Sequence, residues 1–187
     1  EKSAELKYDI FTSDPNLSPM MDVERVSAIL VNNKINNDYS GETNATGGNA
    51  LARYMTRILE LAEGQDAEDI KVKLNAYKPA GTDVKVYYKI LNKDDSDFFD
   101  DRSWVEMSQV TSSTTVSSSE NTDDFRVYDF STPSANLTGA LNEVQYVNSQ
   151  GNTYTGFKFM SIKVVLTSTS ESLVPRVKDL MAIALQV

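Results

Sequence analysis

The stretch that decides the fold is Asp69–Leu91, DIKVKLNAYKPAGTDVKVYYKIL. Ile70, Val72, Leu74 and Ala76 occupy its even positions, against Asp69, Lys71, Lys73 and Asn75 on the odd ones. After Lys78-Pro79-Ala80-Gly81-Thr82 the alternation resumes, with Val84, Val86, Tyr88 and Ile90 against Asp83, Lys85, Tyr87 and Lys89. Side chains on a strand point to opposite faces with period two. The segment therefore predicts two half-buried strands joined by a turn, a hairpin of an antiparallel sheet with one face on a core and one in water.

Working outward, residues 1 to about 22 read as an extended arm or linker, with turn or extended signals at Ser13-Asp14-Pro15-Asn16 and Ser18-Pro19. The β-branched density at Ile29–Val31 places a strand at about 26–32. Asn32–Asn49 is a long polar loop rich in Asn, Gly, Ser and Thr. Further strands are expected at Arg53–Leu61, Trp104–Val110, Phe125–Phe130 and Phe157–Leu166, with a parity change in the last that a β-bulge would produce. Val174-Pro175-Arg176-Val177 reads as an extended edge, where proline is tolerated. Leu180–Val187 is nearly continuous apolar and reads as a final strand buried on both sides. Ser108–Asp124, rich in Ser and Thr, reads as a long exposed loop. Seven or eight strands and no clear helix predict an all-β antiparallel two-sheet sandwich, jelly-roll-like, over 23–187 behind the irregular arm 1–22.

A chain of 187 residues fits one domain and buries roughly 70% of its unfolded surface without metal or disulfide. Its 27 acidic and 18 basic residues give a net charge of −9. That balance argues against a nucleic-acid backbone or an anionic membrane as partner. No stretch approaches the roughly 20 apolar residues of a membrane span, and Glu1-Lys2-Ser3 resembles no signal peptide. A start without Met is what a fragment or processed chain would show.

The sequence holds no Cys and no His. This removes disulfides, thiolate and histidine metal sites, and Ser-His-Asp or Cys-His catalysis. Paired carboxylates remain available in principle, but Glu60, Glu63, Glu106 and Glu143 stand singly and mark no pair. The acid-rich run Asn92–Asp101 fails as an EF-hand: from Asn92, Asp97 falls where glycine is required and Ser103 where glutamate is required. A solvated acidic loop is the ordinary reading. No catalytic residue, metal ligand or cofactor is expected.

The odd face of the opening segment carries Lys71, Lys73, Lys85, Tyr87 and Lys89. It reads either as a contact face for an acidic partner or a sugar, or as a solvated sheet face whose lysines discourage edge pairing. Trp104, the single tryptophan, reads as core, although Met107 takes the opposite parity on the same strand. If a sugar platform existed, Trp104, Tyr87 or Tyr154 would provide it. Three Asn-x-Ser/Thr matches, at Asn16, Asn44 and Asn136, are expected by chance in a chain this rich in those residues.

Four segments carry a family resemblance: Val23-Glu24-Arg25 through Asn33, Gly47–Tyr54, Asp66–Asp83, and Phe157–Leu180. Together they resemble virion structural proteins of tailed phages, especially contractile-tailed phages of marine bacteria. None is a catalytic motif. The resemblance implies a β-rich tail, baseplate or neck component that works by protein–protein contact, a non-enzymatic virion protein made in the host cytoplasm. Its partners would be other virion subunits and further copies of itself in a symmetric assembly. The alternative is a carbohydrate-binding β-sandwich module for host surface glycans.

Overall fold

The computed structural model describes residues 7–22, 33–110 and 116–186. The chain divides into two units, Glu1–Val31 and Asn32–Val187. In the first, residues 7–22 form neither helix nor strand. A turn there is closed by the Leu17 N–H donating to Asp14 O at 3.1 Å, while the Asp14 carboxylate accepts the Asn16 N–H at 2.8 Å. The strand expected at 26–32 lies outside the described residues, as do residues 111–115 of the Ser/Thr-rich connection.

The second unit is all-β and antiparallel. Its strands are β1 (Ala52–Met55), β2 (Leu59–Glu60), β3 (Asp69–Tyr77), β4 (Thr82–Leu91), β5 (Val105–Glu106), β6 (Ser108–Gln109), β7 (Arg126–Ser131), β8 (Leu137–Thr138), β9 (Glu143–Val147), β10 (Thr153–Thr155), β11 (Phe159–Ser168) and β12 (Arg176–Leu185). One sheet runs β1-β11-β4-β5, with β2 also on β11; the other runs β12-β3-β7-β6; β10-β9-β8 form a small ribbon. Between the two large sheets lies one apolar core. The first sheet contributes Val84, Val86, Tyr88, Met160, Ile162 and Val164, and the second Ile70, Val72, Leu74, Ala76, Tyr128 and Phe130. The result is a two-sheet sandwich; the strand order does not by itself establish a jelly roll.

The segment Asp69–Leu91 gives two strands, as its alternation predicts, but they do not form a hairpin. β3 pairs with β12 and β7, whereas β4 pairs with β11 over ten residues and with β5. The two strands face each other across the core through side chains. The connection, Lys78-Pro79-Ala80-Gly81, is four residues long and contains Pro79, which has no N–H to give a ladder. Its backbone groups bond elsewhere. The Ser117 N–H donates to Lys78 O at 2.9 Å and the Thr169 N–H to Gly81 O at 3.0 Å. Gly81 takes φ +83°, which carries the chain over from one sheet to the other.

Several boundaries follow from local chemistry. The strand expected at 53–61 splits into β1 and β2 because the Thr56 hydroxyl, not a backbone carbonyl, accepts the Ile162 N–H at 3.0 Å. The strand expected at 104–110 changes sheets at Met107: β5 pairs with β4 and β6 with β7. The β11–β4 register is unbroken, so no bulge interrupts β11. Its parity change falls earlier, between Phe157 and Met160, both in the core, where Phe157 bridges Ala67 just after Gly156. The bulge sits instead in β12 between Lys178 and Met181, with Asp179 at φ +54° and its carboxylate accepting the Asn75 amide at 2.9 Å. β12 is also not buried on both sides. Among the described residues it has only β3 beside it, and Met181 is 55% exposed.

Candidate functional site

The five residues of the predicted contact face do not share a surface. Lys71 and Lys73 lie on the outer face of the second sheet, both exposed, with Lys73 3.3 Å from Asp129. Lys85, Tyr87 and Lys89 lie on the outer face of the first sheet, and there Tyr87 and Lys89 are only 1% and 4% exposed. A solvated ladder is therefore the wrong picture for β4. The polar loop over residues 33–50 and the segment around Trp104 cover its odd positions.

That loop folds by pairing its own polar groups. The Asp38 carboxylate accepts the Ser40 N–H at 2.9 Å and the Ser40 hydroxyl, which hold it below the usual carboxylate range. The Asn49 N–H donates to Ser40 O at 3.0 Å. The Asn36 carboxamide ties the loop ends, donating to Asn49 O and accepting the Leu51 N–H, both at 3.0 Å. Gly48 passes so close to the Ser40–Glu42 backbone that an added Cβ would lie 2.5 Å from Glu42 N.

This packing turns Glu42 inward onto the sheet. Its Oε2 lies 2.8 Å from Lys163 Nζ, and the Lys163 ammonium also donates to the Glu42 carbonyl. Glu42 Oε1 accepts the Ala50 N–H at 3.0 Å and lies 3.5 Å from Arg53 Nη1. Lys163 stands 4.8 Å from the ring centres of both Tyr87 and Trp104. Lys89 Nζ lies 4.9 Å from the Trp104 ring and donates to Ala45 O and Asp100 O at 3.2 and 3.1 Å. Burial pushes the Lys163 and Lys89 ammonium groups below the ordinary lysine value, against the pull of Glu42 on Lys163 and of Asp100 on Lys89. Burial, reinforced by Glu106, raises the Tyr87 phenol. Trp104 is buried as expected, in this second core with Ala50, Tyr87 and Val165, while Met107 is in the main core. The opposite parities of Trp104 and Met107 thus address two cores. As sugar platforms, Trp104 and Tyr87 are closed off, and Tyr154 stacks on Tyr146 at 5.8 Å.

Sequence reading missed Glu42 and Lys163. Two signals were available: Lys163 is a lone charge within the apolar run Met160–Leu166, and Glu42 is the lone carboxylate between Tyr39 and Asn49. A buried charge implies a partner.

The acidic run 92–101 is a joint. The Asp95 carboxylate accepts the Tyr146 hydroxyl at 2.8 Å and the Asn148 amide at 3.0 Å. Asp97 accepts the Ser149 N–H at 2.8 Å and the Ser149 hydroxyl at 2.6 Å. Protein donors thus take the Asp95 and Asp97 oxygens, and the described residues hold no cluster of three or more potential acidic metal ligands. Two of the four single glutamates are held in separate ion pairs, Glu63 with Lys158 at 3.1 Å and Glu106 with Lys85 at 2.7 Å.

Among the described residues, nothing closes one side of the sandwich. Between β1 and β2 of the first sheet and β12 of the second runs a groove of about 610 Å³, lined by Tyr54, Leu59, Val164, Leu166, Val177 and Leu180 among others. Tyr54 of β1 and Ala182 of β12 border it and are exposed, whereas Met55, opposite Lys163, and Met181, opposite Lys73, turn to the outer faces of the sheets. Among the described residues, no helix is long and apolar enough to cross a membrane.

Fold and site define an antiparallel β-sandwich with a polar second core and one apolar side that no described residue closes. Comparison with protein-family models, with curated proteins and with solved structures finds no match to this chain.

Proposed function

We propose that this chain is a non-enzymatic structural module of a phage virion, a tail or baseplate component that acts through protein–protein contacts. The observation that carries the reading is the unclosed side of the sandwich. The groove floor is made of core-facing residues, Val164 and Leu166 of β11 and Val177 and Leu180 of β12. Tyr54 of the first sheet and Ala182 of the second border it and are exposed. An apolar surface of this kind favours a permanent neighbour. The neighbour is an adjoining virion subunit that lays an extended segment against the edge of β12 that no described strand pairs. The phage assignment rests on the sequence segments, three of which map onto this frame: residues 47–54 on β1 and its approach, 66–83 on β3 and the crossover, and 157–180 on β11 and the start of β12.

Particles purified from cultures that carry the gene are expected to contain the chain by peptide mass spectrometry. An antibody against it is expected to label tail or baseplate. Cultures that express the chain but yield particles without it overturn the reading.

A further inference from the structure

We propose a second, separate site: the cavity between loop 92–103 and turn 147–149 binds a neutral saccharide, with the Phe98 ring as stacking surface and the Asp101 carboxylate as acceptor for its hydroxyl groups. The cavity measures about 520 Å³ and is lined by Ser96, Phe98, Asp101, Arg102, Ser103 and Ser149 among others. Small-molecule sites occupy this range of size.

Phe98 is 77% exposed, yet its backbone is fixed on both sides. Before it, Asp97 is clamped by the Ser149 N–H and hydroxyl at 2.8 and 2.6 Å. After it, a 3-10 turn over Phe99–Asp101 leads to Arg102, which donates to Val147 O at 3.1 Å and packs 4.1 Å from the Tyr146 ring centre. Folding does not require an apolar ring held out in water. A ring on a preorganised frame loses little freedom when it binds, and a planar aromatic suits the apolar face of a sugar.

The electrostatics narrow the ligand class. Arg102 is matched by Asp97, with Nη1 3.4 Å from Oδ2. The Asp101 carboxylate makes no hydrogen bond among the described residues, its backbone N–H going to Phe98 O at 3.1 Å, and the Ser103 hydroxyl makes none either. The cavity therefore presents one carboxylate with free acceptor capacity beside the open Ser103 hydroxyl, while the Ser96 and Ser149 hydroxyls are already bonded to Gln150 and Asp97. This disfavours phosphates, sialic acids and other anions, and suits an uncharged ligand that donates several hydroxyl protons. An apolar peptide would cover the ring but would desolvate Asp101 without replacing its hydrogen bonds. The proposal does not depend on the assembly role above.

The test is an NMR titration of the full ¹⁵N-labelled chain with the methyl glycosides of glucose, galactose, mannose and N-acetylglucosamine, and with sialic acid. At least one neutral glycoside is expected to shift the amides of 96–103 and 147–149 in a saturable way. Phe98→Ala, at an exposed position, is expected to abolish those shifts while the spectrum stays dispersed. Asp101→Asn is expected to weaken binding about tenfold, the effect of losing one charge-assisted hydrogen bond. The proposal is overturned if no neutral glycoside shifts these amides, if the shifts fall elsewhere, if sialic acid binds more tightly, or if Phe98→Ala leaves binding unchanged.

Discussion

Lys163 Nζ and Glu42 Oε2 lie 2.8 Å apart with both side chains shut off from water, one on the central strand β11 and the other 121 residues earlier in a polar loop. The pair fastens that loop to the sheet. A buried ion pair is poor evidence of net stability, because desolvation offsets most of the attraction. Removing one partner is different, since it leaves a charge buried and uncompensated. Lys163→Met and Glu42→Gln are each expected to cost about 3–5 kcal/mol in urea unfolding. The double variant is expected to be more stable than their summed effects predict, because it buries no orphaned charge. A double-mutant cycle showing simple additivity would contradict this account.

Gly48 serves the same joint. An added Cβ would meet Glu42 N at 2.5 Å and Ser40 O at 2.6 Å, both backbone atoms that move only if the loop moves. Gly48→Ala is expected to cost about 2 kcal/mol or more, in the range of overpacked buried sites. Gly64→Ala is the control: nothing lies within 4 Å of its Cβ, but its φ is +73°. That strain alone costs about 1–2 kcal/mol. Thermal unfolding of both variants orders them, and Trp104 fluorescence is expected to redden only in Gly48→Ala, because the Trp104 backbone N–H donates to Thr43 O of the same loop at 2.9 Å and so ties the residue to it.

How much of this was legible depends on what period two encodes. It encodes the face of a side chain, so Ile70 through Ala76 and Val84 through Ile90 could be placed on a core from the sequence. It does not encode which strand lies alongside, so a crossover between sheets and a hairpin have the same pattern. Nor does it reveal a cover that has no pattern of its own. Tyr87 and Lys89 sit at odd positions that look solvated, but the loop above them is held by Asn, Ser and Asp side chains and carries no apolar repeat. The second core was therefore hidden, although Trp104 belonged to it. The groove was hidden for the converse reason: the apolar run 180–187 looks like a central strand, and only sheet order makes β12 an edge.

The joint between loop 92–103 and turn 147–152 is expected to weaken in acid. Hydrogen bonds from the Ser149 hydroxyl and N–H hold the Asp97 carboxyl below the usual range, with Arg102 adding to them. At Asp95, burial works in the opposite direction, and the Asn148, Asp97 N–H and Tyr146 hydrogen bonds together outweigh it. Both folded values lie below the unfolded value of about 3.9. Their stabilisation is therefore complete above that value and is lost as pH falls through the lowered values. Amide exchange at Ser149 is expected to accelerate as the pH drops below about 4, relative to core amides such as Ile162. In Asp97→Asn the acid-dependent part of that acceleration is expected to shrink.

The lysines separate surface from interior. Lys71 is exposed and Lys73 pairs with Asp129 at the surface, its side chain 53% exposed, so alanine at either is expected to change stability by no more than about 0.5 kcal/mol. Lys89 is 4% exposed, and its ammonium meets two carbonyls and the Trp104 ring. Lys89→Ala is expected to cost about 2–3 kcal/mol through unpaired buried carbonyls and lost packing. Equal effects at the three positions in urea unfolding would return β4 to the solvated face expected from its alternation.

The crossover can be tested directly, because the chain has no cysteine of its own. Lys85 and Val165 are directly paired on β4 and β11. Opposed residues on neighbouring antiparallel strands have Cα atoms about 4.5–5.5 Å apart, within disulfide reach. Lys85→Cys with Val165→Cys is therefore expected to oxidise to an intramolecular disulfide. Were β3 and β4 a hairpin around Lys78–Thr82, Asn75 would lie opposite Lys85, and Asn75→Cys with Lys85→Cys would close instead. In the sandwich, Asn75 sits on the outer face of the second sheet and Lys85 on that of the first, with the core between them. Two packed sheets stand about 10 Å apart before the outward side chains are counted, so this second pair is expected to remain reduced. Intact mass under non-reducing conditions reads both outcomes.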